Sequence, residues 1–310
     1  MLNQKVKDSI KAVIYLLILT LINIYIPFLS ILVLIVWPIP VAVITLKHDR
    51  NTVAGVIAIT ALINGLLFGP MFGLLAVIGF GLIGFVIGNC IKEDIKPLNT
   101  LIFTVLSVLL SHVLLVYISR YLLGVNFQAI INEVGNIIGQ SNNIGNMENM
   151  ITNQLQLLQR LFPSLIAISA IVTGSLNYYV TNWYLKKAGY AKEIYKKIKY
   201  WFLPRWIISI GIVISLILKR NIIFVNLNMV LLFLVLIQGY AVSLYFIDRK
   251  TNNSIIKIIY TAIVLFVPLF PPALVLLGLT DFWFDFRKLK NSTKKGWLKI
   301  REVLDNGNYS

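Results

Sequence analysis

Gly79-Phe80-Gly81-Leu82-Ile83-Gly84 spells G-x-G-x-x-G, the turn that cradles a pyrophosphate when a strand precedes it and a helix follows. Here the preceding run is apolar and carries no strand signal, so the glycines belong to a helix. At about 100° per residue, Gly73, Gly81, Gly84 and Gly88 fall on one side of that helix and Gly79 on the other. Gly84 to Gly88 is a small-xxx-small step, which lets two membrane helices pack backbone to backbone. The stripe is expected to be a helix-packing seam, not a nucleotide site.

The chain has two histidines, His48 and His112. No acidic residue shares an apolar run with His112, so it has no partner for acid–base work and cannot hold a metal alone. One cysteine, Cys90, excludes an intrachain disulfide and a cysteine metal cluster. No enzyme, metal or cofactor is expected. What remains is a set of polar groups in apolar surroundings: Asn64, Ser111, His112, Asn177 and Tyr178. They could line a pocket for a vitamin-sized molecule. They could equally tie helices together by hydrogen bonds.

The elements that carry these residues follow from composition. The 310 residues are 58% hydrophobic and 13% charged, with mean hydropathy +0.83, against about 25% charged in soluble domains. Residues 12–46, 53–91 and 98–119 hold no charge, and a spanning helix needs about 20 such residues. The expected fold is all-α: a polytopic membrane protein of about eight spans plus a C-terminal hairpin of short helices.

Prolines, glycines and charges divide the spans at about 12–26, 28–46, 53–67, 71–91, 98–119, 163–185, 204–218 and 225–246. The basic N-terminus ahead of the first span lacks a small-x-small cleavage site, so that helix is expected to stay uncleaved. Residues 120–162 break the pattern with two amphipathic stretches around 139–143. Such faces pack on the membrane or on neighbouring helices, or form a lid over a cavity. Val267-Pro268-Leu269-Phe270-Pro271-Pro272 reads as the tip of the hairpin, with arms at 255–267 and 273–286; the alternative is a single span at 254–280, which would put the basic tail outside.

Seventeen Lys and Arg fall in segments on one side of the spans and four on the other. That asymmetry is expected to put the termini and Lys-rich loops in the cytoplasm and 120–162 outside. The net charge of +16 then needs no nucleic acid. The Lys cluster at 186–199 would face anionic headgroups of the bilayer.

Several stretches carry a resemblance: Trp37-Pro38-Ile39-Pro40, the glycine-rich fourth span, Gln238-Gly239, and Leu277-Gly278-Leu279-Thr280-Asp281-Phe282-Trp283-Phe284-Asp285-Phe286-Arg287. Together they resemble the DUF2232 (YybS-like) family of bacterial membrane proteins. The first six spans also look like the S components of energy-coupling-factor vitamin transporters and like the rod-shape protein MreD. The resemblance implies a six-span domain at 1–190 and C-terminal helices with a basic tail at 191–310. S components show Ala-x-x-x-Ala on the first helix; here Ala54-Gly55-Val56-Ile57-Ala58 places it on the third. No G-x-x-x-x-G-K-[ST] occurs, so the chain has no ATPase of its own. Two functions stay open: a small-molecule binding or transport subunit, and a scaffold for envelope or division machinery with a membrane-protein partner.

Overall fold

The computed structural model describes residues 3–122, 124, 129, 133, 145–190, 195, 198–202, 209–211, 213–214, 221–251, 253–267 and 270–288. Among them there is no strand, and seven helices are long and apolar enough to cross a membrane. The span expected at 204–218 lies mostly outside the described residues, as do 125–128 and 134–144 of the amphipathic segment and the tail after 288.

The chain divides into two units, Met1–Tyr195 and Lys196–Ser310. In the first, α1 (Gln4–Tyr25) is capped by the Asn3 side chain, which accepts from the Lys5 amide at 3.3 Å. Pro27 opens a 3₁₀ turn (Pro27–Leu29), followed by α2 (Ser30–Val36) and α3 (Pro38–Lys47). The second span is thus two helices. Pro38 has no amide hydrogen, so the break falls at Trp37. After α4 (Arg50–Phe68) the chain reverses at Gly69, whose φ of +100° suits glycine alone. The fourth span comprises α5 (Pro70–Leu74), a π-helical stretch (Leu75–Gly81) and α6 (Leu82–Lys92).

That π stretch changes how the glycine stripe is used. A wide turn rotates the residues that follow it relative to those before. A Cβ at Gly73 would lie 2.9 Å from the Ala61 carbonyl oxygen, and one at Gly81 would lie 2.8 Å from Ile57, both on α4. At Gly84 and Gly88 it would lie 2.6 Å from Val41 and Thr45, both on α3. Gly79 meets only Leu75 of its own stretch, at an ordinary 3.7 Å. The glycines therefore seat two helices in succession. Next to them Trp37 stacks on Phe80, with ring centroids 3.4 Å apart and planes 10° from parallel.

The helix α7 (Pro97–Leu122) packs on α8 (Gly145–Lys187) where Gly174 admits Val105. The sixth span expected at 163–185 lies within α8, which begins earlier, at Gly145, and runs through Pro163. The 43 residues of α8 reach about 65 Å, twice the hydrocarbon thickness of about 30 Å. The amphipathic stretch before Pro163 is thus the leading half of a spanning helix.

In the second unit a 3₁₀ turn (Ile198–Tyr200) precedes α9 (Ile222–Lys250). Two short helices follow, α10 (Ser254–Phe266) and α11 (Phe270–Phe284). They are separate helices, as the hairpin reading requires. The helix α11 begins earlier than expected and takes Pro271 and Pro272 into its first turn, where missing amide hydrogens cost nothing.

Candidate functional site

The helix α1 meets the core along one stripe, Ala12, Leu16 and Thr20, all buried. A stripe that narrow leaves the two flanks of the helix open, about 180° apart on the wheel. Each flank forms one wall of a groove.

The first groove, about 490 Å³, lies between α1, α2–α3 and the end of α8. Ala12, Ile18, Leu19, Val36, Ile39, Pro40, Val43 and Ile44 make its body largely apolar, with Tyr15 the one phenol among them. Asp8, Lys11, Lys47 and Tyr184 gather at one end. Asp8 bonds His48 Nε2 at 3.2 Å and lies 3.9 Å from the Lys47 ammonium. Lys11 makes no ion pair among the described residues. The second groove, about 670 Å³, lies between α1 and α4. Near its mouth Asp49 pairs with Lys5 at 2.7 Å and accepts from Thr52 Oγ1 at 2.7 Å. The Lys5 and Thr52 hydrogen bonds hold the Asp49 carboxyl below the usual carboxylate range.

The five polar residues singled out in the sequence line neither groove. Four of them, Asn64, His112, Asn177 and Tyr178, each sit at a contact of their own. Asn64 on α4 donates to Thr20 Oγ1 on α1 at 3.2 Å, and its amide oxygen has no partner. Ser111 is buried on α7, and the neighbouring His112 Nδ1 lies 3.2 Å from Ser169 Oγ on α8. Asn177, oriented to donate, reaches the Leu34 and Ile35 carbonyl oxygens at 3.0 and 3.1 Å. The Leu34 carbonyl is the one that Pro38 cannot serve, so Asn177 supplies the missing donor. Tyr178 is fully buried, and its hydroxyl accepts from the Tyr195 amide at 3.0 Å. The structure brings no two of the five onto one partner.

The second unit holds a buried cluster built from Gln238-Gly239 and the 277–287 stretch. A Cβ at Gly239 on α9 would overlap the Leu274 carbonyl oxygen, and one at Gly278 on α11 would overlap that of Val235. At this contact Asp281 is 0% exposed, Arg287 3% and Gln238 1%. Arg287 Nη2 donates to Asp281 Oδ2 at 2.9 Å, Gln238 Nε2 donates to the same oxygen at 3.1 Å, and Arg287 Nη1 donates to the Lys199 carbonyl at 2.9 Å. Asp281 Oδ1 and Arg287 Nε have no partner. Lys199 and Lys257 both pair with Asp248, and that carboxylate raises the Lys199 ammonium above its ordinary range. The signal was in the sequence: a lone carboxylate in an apolar helix must find a cation, and Arg287 lies six residues on.

Among the described residues no three His, Cys, Asp or Glu side chains stand together as metal ligands. The comparisons agree with the membrane architecture. The chain is 22% identical over 294 residues to the uncharacterized protein YybS of Bacillus subtilis (strain 168), covering 87% of this chain and 93% of that protein. No solved structure matches it. The family model described as "Predicted membrane protein (DUF2232)" matches residues 13–282. By that match over most of its length, this multi-pass helical chain belongs to the DUF2232 family of predicted membrane proteins.

Proposed function

We propose that the chain is a binding subunit of the bacterial cell membrane that takes up a small amphipathic molecule in the groove between α1, α2–α3 and α8, without an ATPase of its own. One observation carries this reading. A carboxylate, two ammonium groups and the Tyr184 phenol converge at one end of a groove of about 490 Å³ whose remaining lining is apolar apart from the Tyr15 hydroxyl. Ligand pockets have this make-up and this size, about 300–1,000 Å³. Lys11 is the group available to a ligand anion, whereas Asp8 and Lys47 hold each other in place.

The polar end lies beside Tyr184, at the opposite end of α8 from residues 145–162. With the Lys-rich side in the cytoplasm, the ligand's polar head would be held there and not under the 120–162 segment. A vitamin or vitamin precursor fits the resemblance to S components. The test is a thermal-shift screen of such compounds on the purified full chain. A ligand at a hundredfold excess over Kd stabilises the folded state by about 2.7 kcal/mol. The shift should vanish in Lys11→Gln and in Val43→Trp, which fills the groove, while their ligand-free melting stays near wild type. A shift that survives both variants would place the ligand elsewhere.

The scaffold reading draws on a different observation. Asn64, His112, Asn177 and Tyr178 spend their polar atoms on neighbouring parts of the first unit, as a fixed frame for partners would. It takes over if no compound shifts the wild type.

A further inference from the structure

The groove on the other flank of α1 has a different distribution of chemistry. It follows α1 from Lys5 to Leu17 and α4 from Asn51 to Ile63. Twelve residue steps of helix rise about 18 Å, close to one leaflet, half of the roughly 30 Å hydrocarbon layer. Its polar groups, Lys5, Ser9, Asn51 and Thr52, all stand in the first two turns, and beyond them the walls are aliphatic. On α4 the wall is cut back at Gly55, where an added Cβ would meet nothing within 4 Å. Ile14 and Ile59 remain half exposed on the two sides.

The charge at the mouth is lopsided. Asp8 and Asp49 are the acids nearby, and both already hold cations. Lys7 and Arg50 adjoin the mouth in sequence and make no ion pair among the described residues. An occupant therefore needs an anionic head at the basic end and a chain about one leaflet long. We propose that the groove between α1 and α4 seats an acyl chain of an anionic glycerophospholipid drawn from the surrounding leaflet, with its phosphate met by the Asn51 amide and held at the basic end by Lys7 and Arg50. A second membrane helix would also cover aliphatic walls, but it gives no reason for polar groups at one end only.

This site is independent of the groove assigned above, because the two share no lining residue. Native mass spectrometry of the purified full chain tests it, with phosphatidylglycerol and phosphatidylcholine of matched acyl chains as probes. The wild type should retain one phosphatidylglycerol per chain with at least a tenfold preference over phosphatidylcholine. Gly55→Leu, which extends into the groove, should lower that retention tenfold or more. Lys7→Gln with Arg50→Gln should abolish the preference between the headgroups. Ile14→Trp closes the groove from the α1 side and serves in place of Gly55→Leu if that variant does not fold. Equal retention of both lipids by the wild type overturns the proposal. So does retention unchanged in the groove-filling variants, or a lipid-free dimer that those variants dissociate, which would assign the groove to a second copy of the chain.

Discussion

Asn177 shows what a single polar residue does inside this protein. Pro38 removes the amide that would pair with the Leu34 carbonyl, and the Asn177 side chain crosses from α8 to supply it at 3.0 Å. Interhelical hydrogen bonds in membranes average about 0.6 kcal/mol and reach about 1.7. This bond belongs at the upper end, because losing it strands a buried carbonyl. Asn177→Ala should therefore destabilise the chain by about 1–2 kcal/mol in a reversible unfolding measurement. In a Pro38→Ala background the Leu34 carbonyl regains a donor within its own helix, and the cost of Asn177→Ala should fall by at least half. An unchanged cost in that background would mean that Asn177 acts through something other than the proline's orphaned carbonyl.

At the scale of elements, the contact of α9 with α11 is the tightest described. Gly239 and Gly278 let the two backbones touch, and the buried Asp281–Arg287 pair locks the approach and ties it to the Lys199 carbonyl. Removing one partner of a buried pair leaves an uncompensated charge and costs about 3–5 kcal/mol, whereas replacing both with apolar groups is often neutral. Asp281→Leu and Arg287→Met should each lower stability by that amount. The double variant Asp281→Leu/Arg287→Met should recover most of the loss. Recovered folding without recovered function in cells would give the pair a role beyond packing.

For the whole molecule, the distribution of Lys and Arg sets how the chain lies in the bilayer. The topology we propose on that ground puts the turn at Glu93 and the segment after Asp285 in the cytoplasm and residues 120–162 outside. Single cysteines at Glu93, Gln156 and Lys288, all exposed positions, can be tested in a Cys90→Ser background. An impermeant thiol reagent on intact cells should label only position 156. Labelling at 288 without permeabilisation would mean that α10 and α11 carry the tail across the membrane instead of turning back as a hairpin.

The sequence alone determined that this is a multi-pass helical membrane protein and where most spans lie, and it offered two short helices as one of two readings of the C-terminal apolar run. Those properties depend on apolar length, proline and charge, which act locally along the chain. It also marked Gly84 and Gly88 as points of close approach, because helical period is local too. Only the tertiary structure decided what each face meets. The π stretch at 75–81 turned one glycine stripe into two contacts, with α4 and then α3. Asn64, His112, Asn177 and Tyr178 looked alike as isolated polar letters, yet they stand at separate contacts. The grooves beside α1 arise because that helix touches the core along one narrow stripe, and this depends on residues of other helices, from α2 to α8. Likewise Asp281 and Arg287 read as motif letters until folding buried them on Gln238. Sequence period fixes a residue's angle on its own helix, but the partner at that angle is set by packing between distant segments.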